Sequence, residues 1–135
     1  MCIRDSPAAA RDNVDFRGFQ APKDLPGFFA EADVFVLPSR YDGWGVVVNQ
    51  ALGAGLPVIC SDAVGAAEDL VEQGTNGFVF PSESTERLYE CLRELLTSPD
   101  KITEFSEFSL KKRNSLTPES GALEWVEILN QVVRK

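Results

Sequence analysis

The stretch VFVLPSRYDGWGVVVNQALGAGLPVIC, from Val34 to Cys60, decides the fold. It opens with Val34-Phe35-Val36-Leu37, a β-branched and aromatic run ended by Pro38. A strand apolar on both sides is expected to be buried on both faces, which is the habit of parallel sheets. A loop from Ser39 to Gly45 follows, then a helix predicted from about Val46 to Ala54 and stopped at Gly55. Pro57-Val58-Ile59-Cys60 reads as a second short buried strand. Strand, crossover helix and strand make one unit of a parallel sheet with a right-handed connection.

The pattern continues on both sides. Upstream, Val14-Asp15-Phe16 before Arg17-Gly18 predicts a short strand closed by a glycine turn. Leu25, Phe28, Phe29 and Ala32 recur at helical spacing, with Pro26 tolerable in the first turn. Downstream, a helix is expected from about Ala66 to Gln73 with Gly74 as its C′ glycine. Gly77-Phe78-Val79-Phe80 is a further strand, stopped by Pro81. After Pro81 the pattern is helical only. Leu88, Cys91, Leu92, Leu95 and Leu96 form an apolar stripe between Ser84 and Ser98, and Ile102, Phe105 and Phe108 suggest a weaker helix. Thr117-Pro118-Glu119 is a helix start with a threonine cap. Leu123, Val126, Leu129, Val132 and Val133 are expected to form that helix's buried face. The fold class is therefore α/β: a parallel sheet with flanking helices and a helical C-terminal tail. Residues 1–13 show no periodicity and are set apart as a tail or scar, leaving 14–135 as the folded unit.

Composition narrows the function. The chain has 135 residues, 44% of them hydrophobic and 25% charged, with a formal net charge of −8. Nucleic-acid binders draw affinity from neutralised phosphates, so no nucleic-acid partner is expected. The basic run Lys111-Lys112-Arg113 reads as a solvated helix face. The three cysteines, Cys2, Cys60 and Cys91, are widely spaced, and there is no histidine. A Cys/His zinc site and histidine catalysis from within the chain are excluded. Cys60 and Cys91 read as small core residues of a reduced, cytoplasmic protein. No apolar run approaches a membrane span, which leaves peripheral contact at the inner membrane face as the closest membrane association.

Ligands of open α/β sheets bind at the carboxyl ends of the strands, where Ser39-Arg40-Tyr41-Asp42-Gly43-Trp44-Gly45 lies. Two glycines around Trp44 let the backbone approach a ligand and turn into the helix. The first helical amides lack internal partners and suit hydroxyl or phosphate oxygens. Asp42 adds an acceptor for sugar hydroxyls. Gln50 lies eight residues on, roughly 12 Å along a helix and about 80° round it, a spacing that fits two points of one extended ligand. A plain glycine turn capping a helix carries comparable weight at this point.

The residues from Pro38 to Asp62, PSRYDGWGVVVNQALGAGLPVICSD, resemble the signature of GT-B fold retaining glycosyltransferases of family 4: P-S-x-x-E-G-[FW]-G followed by E-A-x-A-x-G-x-P-V. Val14 to Gly18 is similar to that family's V-x-F-x-G strand, Ala32 to Leu37 to its A-D-V-F-V-L strand, and Gly65 to Pro81 to its G-x-x-E-x-V-x-x-G-x-N-G turn. The resemblance implies a Rossmann-like, partial GT-B C-terminal domain that binds a UDP- or GDP-linked sugar. It places the family's paired glutamates, which contact donor sugar and ribose, at Asp42 and Gln50. Both depart from glutamate: Asp42 has a shorter arm, and Gln50 keeps the shape without the charge. The amides of Gly43, Trp44, Gly45 and Val46 would face the sugar and diphosphate. Trp44 is expected to pack beneath the loop, with sugar stacking as the alternative. Arg40 and Tyr41 border the pocket; Glu68 reads first as an acid suited to a first helical turn, with approach to the ligand as the alternative.

The resemblance further implies a nucleotide-sugar substrate, no cofactor or metal, and an N-terminal acceptor domain that this chain lacks, together with the first strands of the donor domain and its basic residues that neutralise the departing diphosphate. The chain is accordingly expected to be the donor-binding half, inactive alone. An alternative is a non-catalytic sugar-nucleotide-binding module. A dinucleotide enzyme is disfavoured because no GxGxxG follows a strand, and a receiver domain because the first strand lacks its acids.

Overall fold

The computed structural model describes residues 13–133. Cys2 and nearly all of the expected N-terminal tail lie outside the described residues. Strands β1 (Phe35–Leu37), β2 (Val58–Ser61) and β3 (Gly77–Phe80) form one parallel sheet in the order β1-β2-β3. Phe35 pairs with Val58, and Val58 with Gly77. Helices α1 (Leu25–Glu31), α2 (Val46–Gly53), α3 (Ala66–Leu70), α4 (Thr85–Leu96), α5 (Pro99–Arg113) and α6 (Pro118–Val133) complete the described elements. The expected α/β architecture is the observed one.

β2 is central and buried throughout, and its alternating side chains feed two cores. Val58 and Cys60 pack with Val48, Ala51, Leu52 and Leu70 from α2 and α3. Ile59 faces the other way, with Phe78, Phe80, Cys91, Leu95 and Phe105 from β3, α4 and α5. α5 is longer than its weak stripe suggests because its far half crosses to α2. There the buried Ser109 hydroxyl donates to the Leu56 carbonyl at 2.9 Å. The basic run closes α5, with Lys112 paired to Glu72 at 3.0 Å, a cationic helix end as the dipole favours.

Four expectations change. Val14-Asp15-Phe16 is not a strand: among the described residues it finds no ladder partner, and Val14 and Phe16 are about half exposed. β1 is half-buried rather than sealed on both faces, since among the described residues only β2 pairs with it. α3 ends at Leu70, well before Gly74, because the buried Asn76 takes over its last groups. The Asn76 Nδ2 donates to the Leu70 carbonyl at 3.0 Å, and its Oδ1 accepts from the Glu72 amide at 2.7 Å. Finally, Leu123, Val126, Leu129 and Val132 on α6 are exposed, as is Leu96 at the margin of the α4 stripe, so among the described residues these side chains are left uncovered.

Candidate functional site

The loops that leave the carboxyl ends of the three strands are tied together by hydrogen bonds. The Asp42 amide donates to the Ala63 carbonyl at 3.0 Å, the Gly65 amide to the Asp42 carbonyl at 3.0 Å, and the Ala66 amide to the Trp44 carbonyl at 2.7 Å. Loop 39–45 and loop 62–65 therefore run together as a short parallel ladder beyond β1 and β2. Further down, the buried Ser61 hydroxyl donates to the Ser39 carbonyl. The Ser82 amide after β3 donates to Asp62 Oδ1 at 2.7 Å.

Two glycines make this approach possible. A β-carbon on Gly65 would stand 2.4 Å from the Gly43 carbonyl oxygen, closer than any real contact. Gly45 has φ +85° and is buried, so it both turns the chain left-handed and fits against Val64. As the N-cap of α2 it has no side chain to offer, and no side chain caps the first amides of that helix.

The expected residues fall as follows. Gly43, Gly45 and Val46 form the turn into α2, with Gly43 and Val46 exposed. Asp42 is half-buried and spends one carboxylate oxygen on its own loop, accepting from the Trp44 amide at 3.2 Å. That amide is thus engaged within the loop, contrary to the expectation that it faces a ligand. Trp44 is not packed beneath the loop either. It is 42% exposed, and its indole Nε1–H donates to Asn49 Oδ1 at 3.0 Å. The glycines on both sides give it nothing to be buried under.

Gln50 is exposed on α2, about 6 Å of helix axis beyond Val46. It borders an open groove of about 450 Å³ whose other wall is α1, with Leu25, Pro26 and Phe29. Asp42 and Gln50 thus stand at opposite ends of the first half of α2. Arg40 turns away toward β3, its Nε 3.2 Å from Glu83 Oε1. Both partners are well exposed, so the pair is weak and easily exchanged. Tyr41 is 85% exposed. Glu68 lies in the first turn of α3 and lines a separate groove with Asp62, Val71 and Val79. Burial pushes the Cys60 thiol up to about 11 and raises Cys91 as well, so both are inert core groups. No group of three or more His, Cys, Asp or Glu side chains suited to a metal ion occurs among the described residues. No helix among the described residues is long and apolar enough to cross a membrane.

Sequence reasoning missed Asn49 and the full role of Gly65. The signal for Asn49 was present, a polar residue closing the run Val46-Val47-Val48. That for Gly65 was not, since its constraint comes from another loop.

Comparison with known proteins gives this geometry a family. The family model described as glycosyl transferases group 1 matches residues 7–112, starting ahead of Val14. The chain is 33% identical over 110 residues to spore coat protein SA of Bacillus subtilis, covering 80% of this chain and 29% of that protein. It is 36% identical over 97 residues to a GDP-mannose-dependent α-(1-6)-phosphatidylinositol monomannoside mannosyltransferase of Mycobacterium tuberculosis, covering 67% of this chain and 25% of the relative. In fold it is similar to the Anabaena protein HepE solved in complex with UDP, with a TM-score of 0.79 at 24% identity, covering 91% of this chain and 34% of HepE. The chain thus spans between a quarter and a third of the length of these proteins. The overall fold is that of a GT-B-like α/β domain, and the chain belongs to the glycosyl transferases group 1 family.

Proposed function

We propose that this chain is the donor-binding half of a family 4 retaining glycosyltransferase, and that loop 39–45 with the exposed side of α2 holds a nucleotide-diphosphate sugar. The observation that carries the reading is the ladder between loops 39–45 and 62–65. It presents a glycine turn and an uncapped helix N-terminus at the carboxyl edge of a parallel sheet. The free amides suit diphosphate oxygens, and the second oxygen of Asp42 suits a sugar hydroxyl. Gln50 suits the ribose, and the apolar groove against α1 the base. A mannosyltransferase relative that is GDP-mannose-dependent by name supports a nucleotide-sugar substrate.

Glycosyl transfer leaves negative charge on the departing diphosphate, which fixed donors must stabilise. The α2 amides supply part of this without a metal or other cofactor. Arg40, the basic residue of the loop, is engaged with Glu83. On this reading the remaining positive groups come from further parts of the donor domain, and the acceptor site from a separate N-terminal acceptor domain. The working location of the whole enzyme is the cytoplasm, at the inner membrane face where lipid-linked or surface glycans are assembled.

Isothermal titration of the 135-residue chain with UDP, GDP and their sugar conjugates tests the reading. Binding of a nucleoside diphosphate without sugar turnover is expected. Absence of binding to all of them refutes the donor site, and detectable transfer by the chain alone refutes its being only half of the machinery. A non-catalytic binding module is the second reading, favoured by the amide at Gln50 and by the engagement of Asp42 with its own loop. Failure of the longer parent protein to transfer any sugar would select it.

A further inference from the structure

Trp44 is a large aromatic side chain held still without being buried. It is 42% exposed, yet it is fixed at both ends. Its backbone N–H donates to Asp42 Oδ1 at 3.2 Å, and its indole N–H donates to Asn49 Oδ1 at 3.0 Å. Immobilising such a side chain costs rotamer entropy that only partial burial recovers. Gly43 and Gly45 on either side have no side chains to cover the ring. Asn49 is unusual in its place too. It follows three valines in the first turns of α2, where asparagine has poor helix propensity, and it is half-buried with its carbonyl oxygen committed to the indole.

We propose that Asn49 is a positioning residue that holds Trp44 as a stacking platform for the C–H face of the donor's hexose ring. This rests on the donor reading above and assigns the sugar end of that site. A pyranose presents C–H bonds on a face and hydroxyls around its rim. The negative face of the indole suits the former, while the free oxygen of Asp42 and the leading amides of α2 suit the latter. The sugar is favoured over the base as the stacked ring because Trp44 enters at the N-terminal end of α2, beside Asp42. The Gln50 end has its own apolar groove, built by Leu25, Pro26 and Phe29. Pre-ordering of the ring by Asn49 removes a cost that binding would otherwise bear.

The chain has two tryptophans, so Trp125→Phe on exposed α6 leaves Trp44 as the sole tryptophan, read by excitation beyond the tyrosine band. The 135-residue chain is titrated with UDP, GDP, UDP-glucose, UDP-N-acetylglucosamine and GDP-mannose, by fluorescence and by calorimetry. At least one sugar nucleotide is expected to shift Trp44 emission more than its parent diphosphate and to bind about fivefold tighter. Trp44→Leu and Asn49→Leu should each abolish that increment, lowering sugar-nucleotide affinity by more than they lower nucleoside diphosphate affinity, and Trp44→Phe should keep part of it. Asn49→Leu should also lower the Trp44 anisotropy of the free protein, a readout that mere loss of stability would not isolate. Should Trp44→Leu fail to fold, Asn49→Leu and Trp44→Phe carry the comparison. Survival of the sugar increment in the variants, or equal loss of diphosphate and sugar-nucleotide affinity, overturns the platform and leaves the donor site standing. If the unsubstituted chain binds none of these ligands, both readings fall.

Discussion

Gly65 and Gly43 face each other across the two site loops, but only one of them is constrained by the contact. A β-carbon at 65 meets the Gly43 carbonyl oxygen at 2.4 Å, with the Trp44 Cα at 3.2 Å, and backbone atoms cannot step aside. A β-carbon at 43 meets nothing nearer than the Tyr41 hydroxyl at 4.0 Å. Gly65→Ala is therefore expected to lower unfolding stability by about 2 kcal/mol in urea titrations, as overpacking does, and to weaken nucleoside diphosphate binding. Gly43→Ala should change stability by less than about 0.5 kcal/mol. A second residue-scale consequence concerns Cys60. Its folded thiol, held at about 11 by burial, stands above the ordinary 9.0, so the folded state keeps a proton that the unfolded state has lost. Stability from this group is whole below pH 9 and falls as pH rises from 9 to 11, by up to about 2–3 kcal/mol. Cys60→Ala should flatten that part of the pH–stability curve in chemical denaturation. The place of Asp42 in the loop after β1 was legible in the sequence, but not its bond to Trp44. That bond comes from the loop's folded shape, which spacing does not encode.

The central elements were legible for a simple reason. β2 and β3 carry short apolar runs and α2 opens on one, with glycine or proline beside each, and each of those signals acts locally. α3 was drawn too long because its end is set by Asn76, a side chain that follows it in the chain. Gly74 looked like a helix stop, yet it turns the chain into β3, its amide donating to the Gly77 carbonyl at 2.9 Å. Asn76 is 2% exposed, satisfying the Leu70 carbonyl and the Glu72 amide at once. Asn76→Ala strands both, and is expected to cost about 2–4 kcal/mol in equilibrium unfolding. Asn76→Asp sets a buried carboxylate against the Leu70 carbonyl and should cost no less at neutral pH. A loss below about 1 kcal/mol on Asn76→Ala would show that packing, rather than the amide, ends α3.

At the scale of the molecule, order is unevenly supported. β2 and the inner faces of α2, α4 and α5 share two contiguous cores, whereas α1 buries no residue and β1 is half-covered. α6 is the extreme case. Leu123, Trp125, Val126, Ile128, Leu129 and Val132 are exposed, although their spacing marks an apolar face as clearly as that of α4. Periodicity announces that a face is apolar without saying what meets it, which is why α6 was read as buried. A sixteen-residue helix without tertiary burial is close to marginal in water, because nucleation is costly and packing supplies most helical stability in proteins. The Ser115–Thr117–Ser120 hydrogen bonds hold its first turn only. Hydrogen exchange followed by mass spectrometry should therefore find the α6 amides opening locally, with protection at least about a hundredfold below that of β2 and β3. The dye 8-anilinonaphthalene-1-sulfonate should bind the native chain and lose most of its signal when α6 is removed after Leu116. Protection of α6 equal to that of β2 would mean that its apolar face is covered in solution.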